Sequence, residues 1–291
     1  MKMTNPCIEA AVAVVNRHGV VPDRCQILQD GHTLVVRLTE TLVARVVTDI
    51  DGPRQGLDWF ERETAVAAHL TRHHAPVIPL HPDLPSTAHQ HEGYAMNFWQ
   101  FVTATDAEPE PREIGSTLYQ CHEILRHFPE PLPSLAILHE TLEILETSVE
   151  KSYFDAATVE LLKHHLRHSI DVLAPLPAQA LHGDAHMGNL MMTTQGMLWT
   201  DWEDAFSGPV EWDLASIIWN AKLLDDDQDF VDQVLKSYQA AGGGYDEAVL
   251  DQCLIARAAV MSAWYPILYP SPSEERVRKL KQRIEWLKNN L

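Results

Sequence analysis

The chain has 291 residues, 45% of them hydrophobic and 22% charged, with 41 Asp and Glu against 22 Lys and Arg and a net charge of −19. That length and balance can bury the core of one large globular domain or of two lobes. The acidity argues against nucleic acid or an anionic membrane as partner, because phosphate contacts need clustered Lys and Arg, and it suits a cationic small substrate as well as simple solubility.

In chain order, the short apolar run at 10–15 is flanked by Glu9 and Arg17 and has no clear cleavage site, so no signal peptide is expected. Residues 25–29, 33–38 and 42–48 are apolar or β-branched runs separated by Asp30-Gly31-His32 and Thr39-Glu40-Thr41. They predict consecutive antiparallel strands joined by tight turns. Asp58 reads as an N-cap, with apolar residues at helical spacing to about His73. Pro76, Pro79, Pro82 and Pro85 then break regular structure before a hairpin near 89–101 that turns at Glu92-Gly93. Past Pro109 and Pro111 helical periodicity takes over, at 114–127, 135–149, 156–173, 212–224, 230–240, 247–268 and 274–291. Residues 190–192 and 197–200 read as strands, and Gly242-Gly243-Gly244 as a helix-ending turn. The fold class is α+β: an N-terminal antiparallel sheet lobe with one helix, residues 1–100, then a larger, mainly helical lobe, 101–291. No segment approaches the roughly 18 apolar residues of a spanning helix. Cys7, Cys25, Cys121 and Cys253 lack a CxxC pair, which predicts buried free thiols in the cytoplasm.

His182-Gly183-Asp184-Ala185-His186-Met187-Gly188-Asn189, followed by Asp201-Trp202-Glu203, carries the chemistry. An Asp with an Asn five residues on can set a carboxylate beside an attacking hydroxyl and an amide oxygen on a magnesium ion. A second Asp at a strand end can bridge that metal to nucleotide phosphates. Asp184 is therefore the candidate catalytic residue, orienting the acceptor hydroxyl, and Asn189 and Asp201 are candidate magnesium ligands. Glu203 holds metal-bound water or fixes its loop. His182 reads as a buried tie, and Asp213 as a buried carboxylate accepting N–H bonds from the catalytic loop. Gly31 marks the turn where a nucleotide-covering hairpin belongs. Arg45, in the strand frame Leu42-Val43-Ala44-Arg45, is the candidate phosphate-side cation, and Glu63 on the following helix is its candidate partner, with Glu61 as runner-up.

These residues resemble the aminoglycoside phosphotransferase and choline kinase-like family. The likeness extends to Gly208-Pro209, to Asp213-Leu214-Ala215 and to Gly115, Leu118 and His122. It implies a two-lobed protein-kinase-like fold, ATP or sometimes GTP with Mg2+, and phosphorylation of a small-molecule hydroxyl. By position it makes Asp184 the catalytic Asp and Asn189 and Asp201 the magnesium ligands, and places residues 96–99, with Asn97 and Phe98, at the hinge meeting adenine. Arg45 departs from the family's usual Lys.

The expected acceptor is an aminoglycoside-like antibiotic or a metabolite such as an amino alcohol, amino acid or sugar. Its ammonium groups could be held by the acidic run Asp225-Asp226-Asp227-Gln228-Asp229 or by a cage of Trp212, Trp219, Trp264 and Tyr265. The bland readings are a solvated helix start and packed core. Two other functions compete: a catalytically weak nucleotide-binding module, suggested by Arg45, and a metal-dependent hydrolase built on His182, Asp184 and His186.

Overall fold

The computed structural model describes residues 5–31, 33–48, 57–147, 153–225 and 227–291. His32 of the first turn, the end of the helix expected to reach 149 and Asp226 of the acidic run lie outside the described residues. The chain has a protein-kinase-like fold and divides into two compact units. One takes in the chain up to Pro109 together with Asn189–Asp204; the other is Glu110–Gly188 with Ala205–Leu291. The segment 189–204 thus clusters with the first unit, although a division at residue 100 assigns it to the second.

The first unit opens with helix α1, Pro6–Arg17, where the sequence reading has only an apolar run. Asn5 caps it by accepting from the Cys7 N–H at 3.0 Å, and Pro6 occupies the first turn, where its missing N–H costs nothing. Cys7, Ala10, Ala11, Val14 and Val15 form one buried stripe at helical spacing. Strands β1 (Gln26–Asp30), β2 (Thr33–Arg37) and β3 (Leu42–Val47) follow, then helix α2 (Leu57–Arg72) and strands β4 (His89–His91) and β5 (Tyr94–Gln100). Asp58 lies inside the first turn of α2 rather than capping it. The sheet is antiparallel in the order β1-β2-β3-β5-β4.

Period-two alternation gives that sheet two unlike faces. Leu34, Val36, Leu42, Ala44, Val46, Met96 and Phe98 pack with the α1 stripe into one core. Residues of opposite parity, including Arg45 and its register partner Asn97, are left for the other face. Hairpin β7 (Leu190–Thr193) and β8 (Gly196–Trp199) completes this unit, bonded to the segment after β5 by Thr105 N–H to the Met192 carbonyl at 2.8 Å.

The second unit holds helices α3 (Pro111–Leu125), α4 (Ala136–Glu146) and α5 (Ala156–Leu173), with the short strands β6 (Gln179–Ala180) and β9 (Ser207–Gly208) paired. It continues with α6 (Glu211–Asn220), α7 (Gln228–Ala240), α8 (Glu247–Ala263), α9 (Tyr265–Leu268) and α10 (Glu274–Lys288). The helix expected over 247–268 divides at Trp264, next to Tyr265-Pro266, because proline lacks the N–H that would continue it. α3 and α7 approach at Gly115. A Cβ there would run into the Val234 carbonyl and the Ser237 hydroxyl and lie 2.9 Å from the Tyr238 nitrogen. Gly115→Ala should therefore destabilise the protein by about 1–3 kcal/mol through overpacking, read as a lower urea midpoint at unchanged slope.

Among the described residues no helix is long and apolar enough to cross a membrane. Cys7, Cys121 and Cys253 are buried free thiols, whereas Cys25 is free and exposed, against the expectation of burial.

Candidate active site

In the first unit one guanidinium gathers three carboxylates. Arg45 Nη1 donates to both Glu63 oxygens at 2.7 Å, and Nη2 donates to Glu203 Oε2 at 2.7 Å. Nη2 also lies 3.0 Å from Asp201 Oδ1. The sheet's parity aims Arg45 at α2, and Glu63 sits on the buried stripe of that helix, 1% exposed. Glu61 is not the partner. Burial pushes the Glu63 carboxyl up, to about 7, against the pull of Arg45, and the neighbouring Asp201 and Glu203 charges add to the rise. Arg45 is held firmly charged: burial opposes its charge, but Glu63, Asp201 and Glu203 together outweigh it. Glu203 thus holds the guanidinium, and its backbone carbonyl accepts from Arg62 Nη1 at 3.5 Å.

Asn97 and Phe98, the candidate hinge residues, both turn their side chains into packed interiors of the sheet. Asn97 is fully buried; its Nδ2 donates to Glu63 Oε2 at 2.6 Å and its Oδ1 accepts from Trp99 Nε1 at 2.7 Å. Phe98 packs in the α1 core, its ring 5.2 Å from that of His89. Both are committed to the sheet interior, because the strand runs on to Gln100 and the chain leaves it only there. Gly31 ends the β1–β2 hairpin, where its carbonyl accepts from Thr48 Oγ1 at 2.7 Å.

Asn189 and Asp201 lie at one end of the β7–β8 hairpin. Leu190 pairs with Trp199, and the Thr200 N–H donates to the Asn189 carbonyl at 3.0 Å, so the two strands stay in register to the residue before Asp201. Asp201 has φ of +66°, a left-handed conformation that Asp tolerates better than most residues and that is found at functional turns. The donor set fits a magnesium ion: two hard oxygen donors, beside a surplus of carboxylate over guanidinium.

In the second unit Asp213, at the start of α6, shapes the loop around Asp184. Its carboxylate accepts the N–H of His182 at 2.7 Å and of Gly183 at 2.9 Å, and lies 3.0 Å from His122 Nε2. His122 Nδ1 is 2.9 Å from the Tyr238 hydroxyl, which ties α3, α6 and α7 to the same carboxylate. Gly183 has φ of +85°, which a side chain would strain, and its carbonyl accepts from Trp212 Nε1 at 2.7 Å. His182 is fully buried.

The Asp184 carboxylate meets Arg257 and His186: Oδ1 pairs with Arg257 Nη2, and Oδ2 lies 3.2 Å from His186 Nε2. Burial works against its ionisation, but Arg257 and His186 outweigh that and hold the carboxyl far below the usual carboxylate range. Arg257 was missed in the sequence, 73 residues from its partner. The available signal was a single charge in the apolar stretch Leu254-Ile255-Ala256-Arg257-Ala258-Ala259, since a buried cation needs a counter-charge. His182, Asp184 and His186 do not form a metal triad; among the described residues no group of three His, Cys, Asp or Glu could hold an ion.

A cavity of about 680 Å³ lies within this unit, lined by His186, Arg257, α6, the wide turn Ala221–Asp225, α9 and α10. The aromatic residues pack as core and form no open cage there. Trp212 bonds Gly183, and Trp264 Nε1 donates to Thr141 Oγ1 at 3.0 Å. Trp219 and Tyr265 do line the cavity, but the Arg283 guanidinium lies 5.2 and 5.8 Å from their ring centres, where an ammonium ligand would sit. In the acidic run, Asp225 pairs with Lys279 at 3.4 Å, Asp227 caps α7 and Asp229 accepts from Gln233.

The model of the phosphotransferase enzyme family matches residues 14–251. No curated protein sequence matches the chain significantly. Among solved structures, an amicoumacin kinase in complex with AMP-PNP, Ca2+ and Ami is similar at TM-score 0.75 and 12% identity, over 96% of this chain and 93% of that one. Choline kinase LicA from Streptococcus pneumoniae aligns at TM-score 0.68 and 12% identity over 97% and 99% of the two chains. A spectinomycin phosphotransferase in complex with ADP and its antibiotic does so at 0.61 and 13%, over 95% and 94%. At such identities the likeness is one of fold, but the family model spans most of the chain: it belongs to the phosphotransferase enzyme family.

Proposed function

We propose that this phosphotransferase is a small-molecule kinase that transfers the γ-phosphoryl group of ATP, or of GTP, to a hydroxyl of its acceptor with the help of magnesium. The observation that carries the reading is Arg45, which pairs at once with Glu63 of the helix and Asp201 of the hairpin. A kinase needs such a cation for the phosphates, held by a helix carboxylate and set beside a metal-binding Asp. Nucleotides in similar folds, AMP-PNP in the amicoumacin kinase and ADP in the spectinomycin phosphotransferase, support the cofactor class.

Phosphoryl transfer passes through a loose transition state, so these residues position groups and balance charge. Arg45 holds the phosphates and the Gly31 hairpin covers them. Asn189 and Asp201 would hold magnesium, which when bound neutralises charge on the phosphates. Asp184 accepts a hydrogen bond from the acceptor hydroxyl and orients it. With its carboxyl so far below the usual range it is a poor base, and the proton leaves late. Arg257 keeps Asp184 ionised and fixes its orientation.

The test is Asp201→Ala. Magnesium-nucleotide affinity measured by calorimetry should fall at least about tenfold, the usual loss when a metal site loses a ligand or its support; unchanged affinity would reject the metal assignment. Arg45 in place of Lys, and the pairing of Asp184 with Arg257, favour a catalytically weak nucleotide-binding module. Tight nucleotide binding without acceptor-dependent ADP release would favour that alternative.

A further inference from the structure

The 680 Å³ cavity of the helical unit is the natural acceptor site, because Arg257 and His186, both in contact with the Asp184 carboxylate, line it. Its size suits a small ligand. Its charge is unexpected for so acidic a chain: Arg257, Arg276, Lys279 and Arg283 all line it. The lining acids are already engaged. Asp225 and Glu275 pair with Lys279 at 3.4 and 3.8 Å, and Asp227 caps the N-terminus of α7.

Arg283 is the residue left without a counter-charge. It is 5% exposed, and among the described residues it has no carboxylate partner. Its one hydrogen bond among them runs from Nη1 to the Met261 carbonyl at 3.1 Å, while the rings of Trp219 and Tyr265 supply only their faces. Burial pushes its guanidinium down to about 10, and the like charge of Arg257 adds to that. Arg283 Nε, Arg257 Nε, the Tyr265 hydroxyl and the Ser216 hydroxyl are all buried without hydrogen-bond partners among the described residues, and all four residues line this cavity. Buried polar groups are nearly always satisfied, and a buried cation nearly always has an anion. A buried cation without a carboxylate of its own among the described residues, on the wall of a cavity, marks the place of an anionic group that is not part of the chain.

We infer that the acceptor carries an anionic group, a carboxylate or a phosphate, and that Arg283 forms its ion pair. This rests on the kinase reading and replaces the cationic acceptor suggested by the net charge. A planar guanidinium matches both anions through paired N–H donors, and the same geometry repels an ammonium group. Arg283 then selects the acceptor, while Asp184 orients its hydroxyl.

The test is equilibrium binding to the full chain, followed by Trp fluorescence and by thermal shift, so that it does not depend on turnover. The probes are matched sets: glycerate against glycerol, gluconate and glucose 6-phosphate against glucose, and choline and kanamycin as cations. At least one acid should bind about 100-fold more tightly than its neutral counterpart, and the carboxylate and phosphate members tell the two anions apart. Arg283→Met should abolish that preference and Arg283→Lys should keep part of it. If Arg283→Met does not fold, Arg283→Lys and Tyr265→Phe carry the comparison. Preference for choline or kanamycin, equal binding of acid and neutral partner, or no binding by any probe overturns the inference, as does an acid preference unchanged in Arg283→Lys and Tyr265→Phe or in folded Arg283→Met. Acids that bind but release no ADP with magnesium and ATP would instead count against the kinase reading.

Discussion

Asp184→Ala is expected to lower kcat by about 10³-fold or more while leaving nucleotide affinity within about twofold, since removing a group that handles the reacting proton costs about 10²–10⁴. The nucleotide is assigned to other residues, Arg45, Asn189 and Asp201, so binding and turnover should separate. Retention of more than about a tenth of kcat would remove Asp184 from its role. The pH dependence gives a second check. Arg257 and His186 depress the folded carboxyl against the cost of burial. Its contribution to stability is therefore present above the ordinary carboxylate pKa and is lost only as pH falls through the lower folded value. Between pH 5 and 8 Asp184 stays ionised, and any acid limb of kcat in that window must belong to another group. Arg257→Met should create such a limb by removing the main counter-charge, and a profile identical to the wild type would show that Arg257 does not tune Asp184.

Arg45→Ala should be the most destabilising change in the first unit. It leaves Glu63, Asp201 and Glu203 without the guanidinium they share, and breaking a buried pair in this way costs about 3–5 kcal/mol. The thermal transition should fall by roughly 10 °C, with nucleotide affinity lost as well. The sign of its pH dependence follows from Glu63. A carboxyl whose folded pKa is raised favours the folded state below its unfolded pKa, and that advantage is lost as pH rises through the folded value, about 7 in the wild type. Without Arg45 the folded value rises further, so the deficit should be larger at pH 8.5 than at pH 6. Arg45→Lys should recover part of the stability only, because an ammonium cannot span three carboxylates as a fork does. Equal stability of Arg45→Ala and wild type at both pH values would show the network to be ornamental.

What the sequence shows and what only the structure shows divide along the range of the interactions. Strand alternation was legible for Arg45, because side chains alternate with period two whatever lies around them. Helical spacing put Glu63 in reach of that residue. The stripe at 7, 10, 11, 14 and 15 and the Asn5-Pro6 cap are equally legible signs of α1, beyond the apolar run at 10–15 alone. The place of Asn97 was not legible, since a strand's length does not say where it leaves its sheet.

By itself, the sequence determined the two-part order of elements, the family and the set of residues from 182 to 213 that carry the phosphotransferase signature, because each depends on spacings of a few residues along one chain. Only the tertiary structure decided that Arg257 faces Asp184 across 73 residues, that Asp213 holds the catalytic loop to His122 and Tyr238, and that Arg283 occupies the faces of Trp219 and Tyr265. Those pairings join charges and rings from helices distant in sequence, and no local period records which buried cation meets which anion. That depends on how the helices pack.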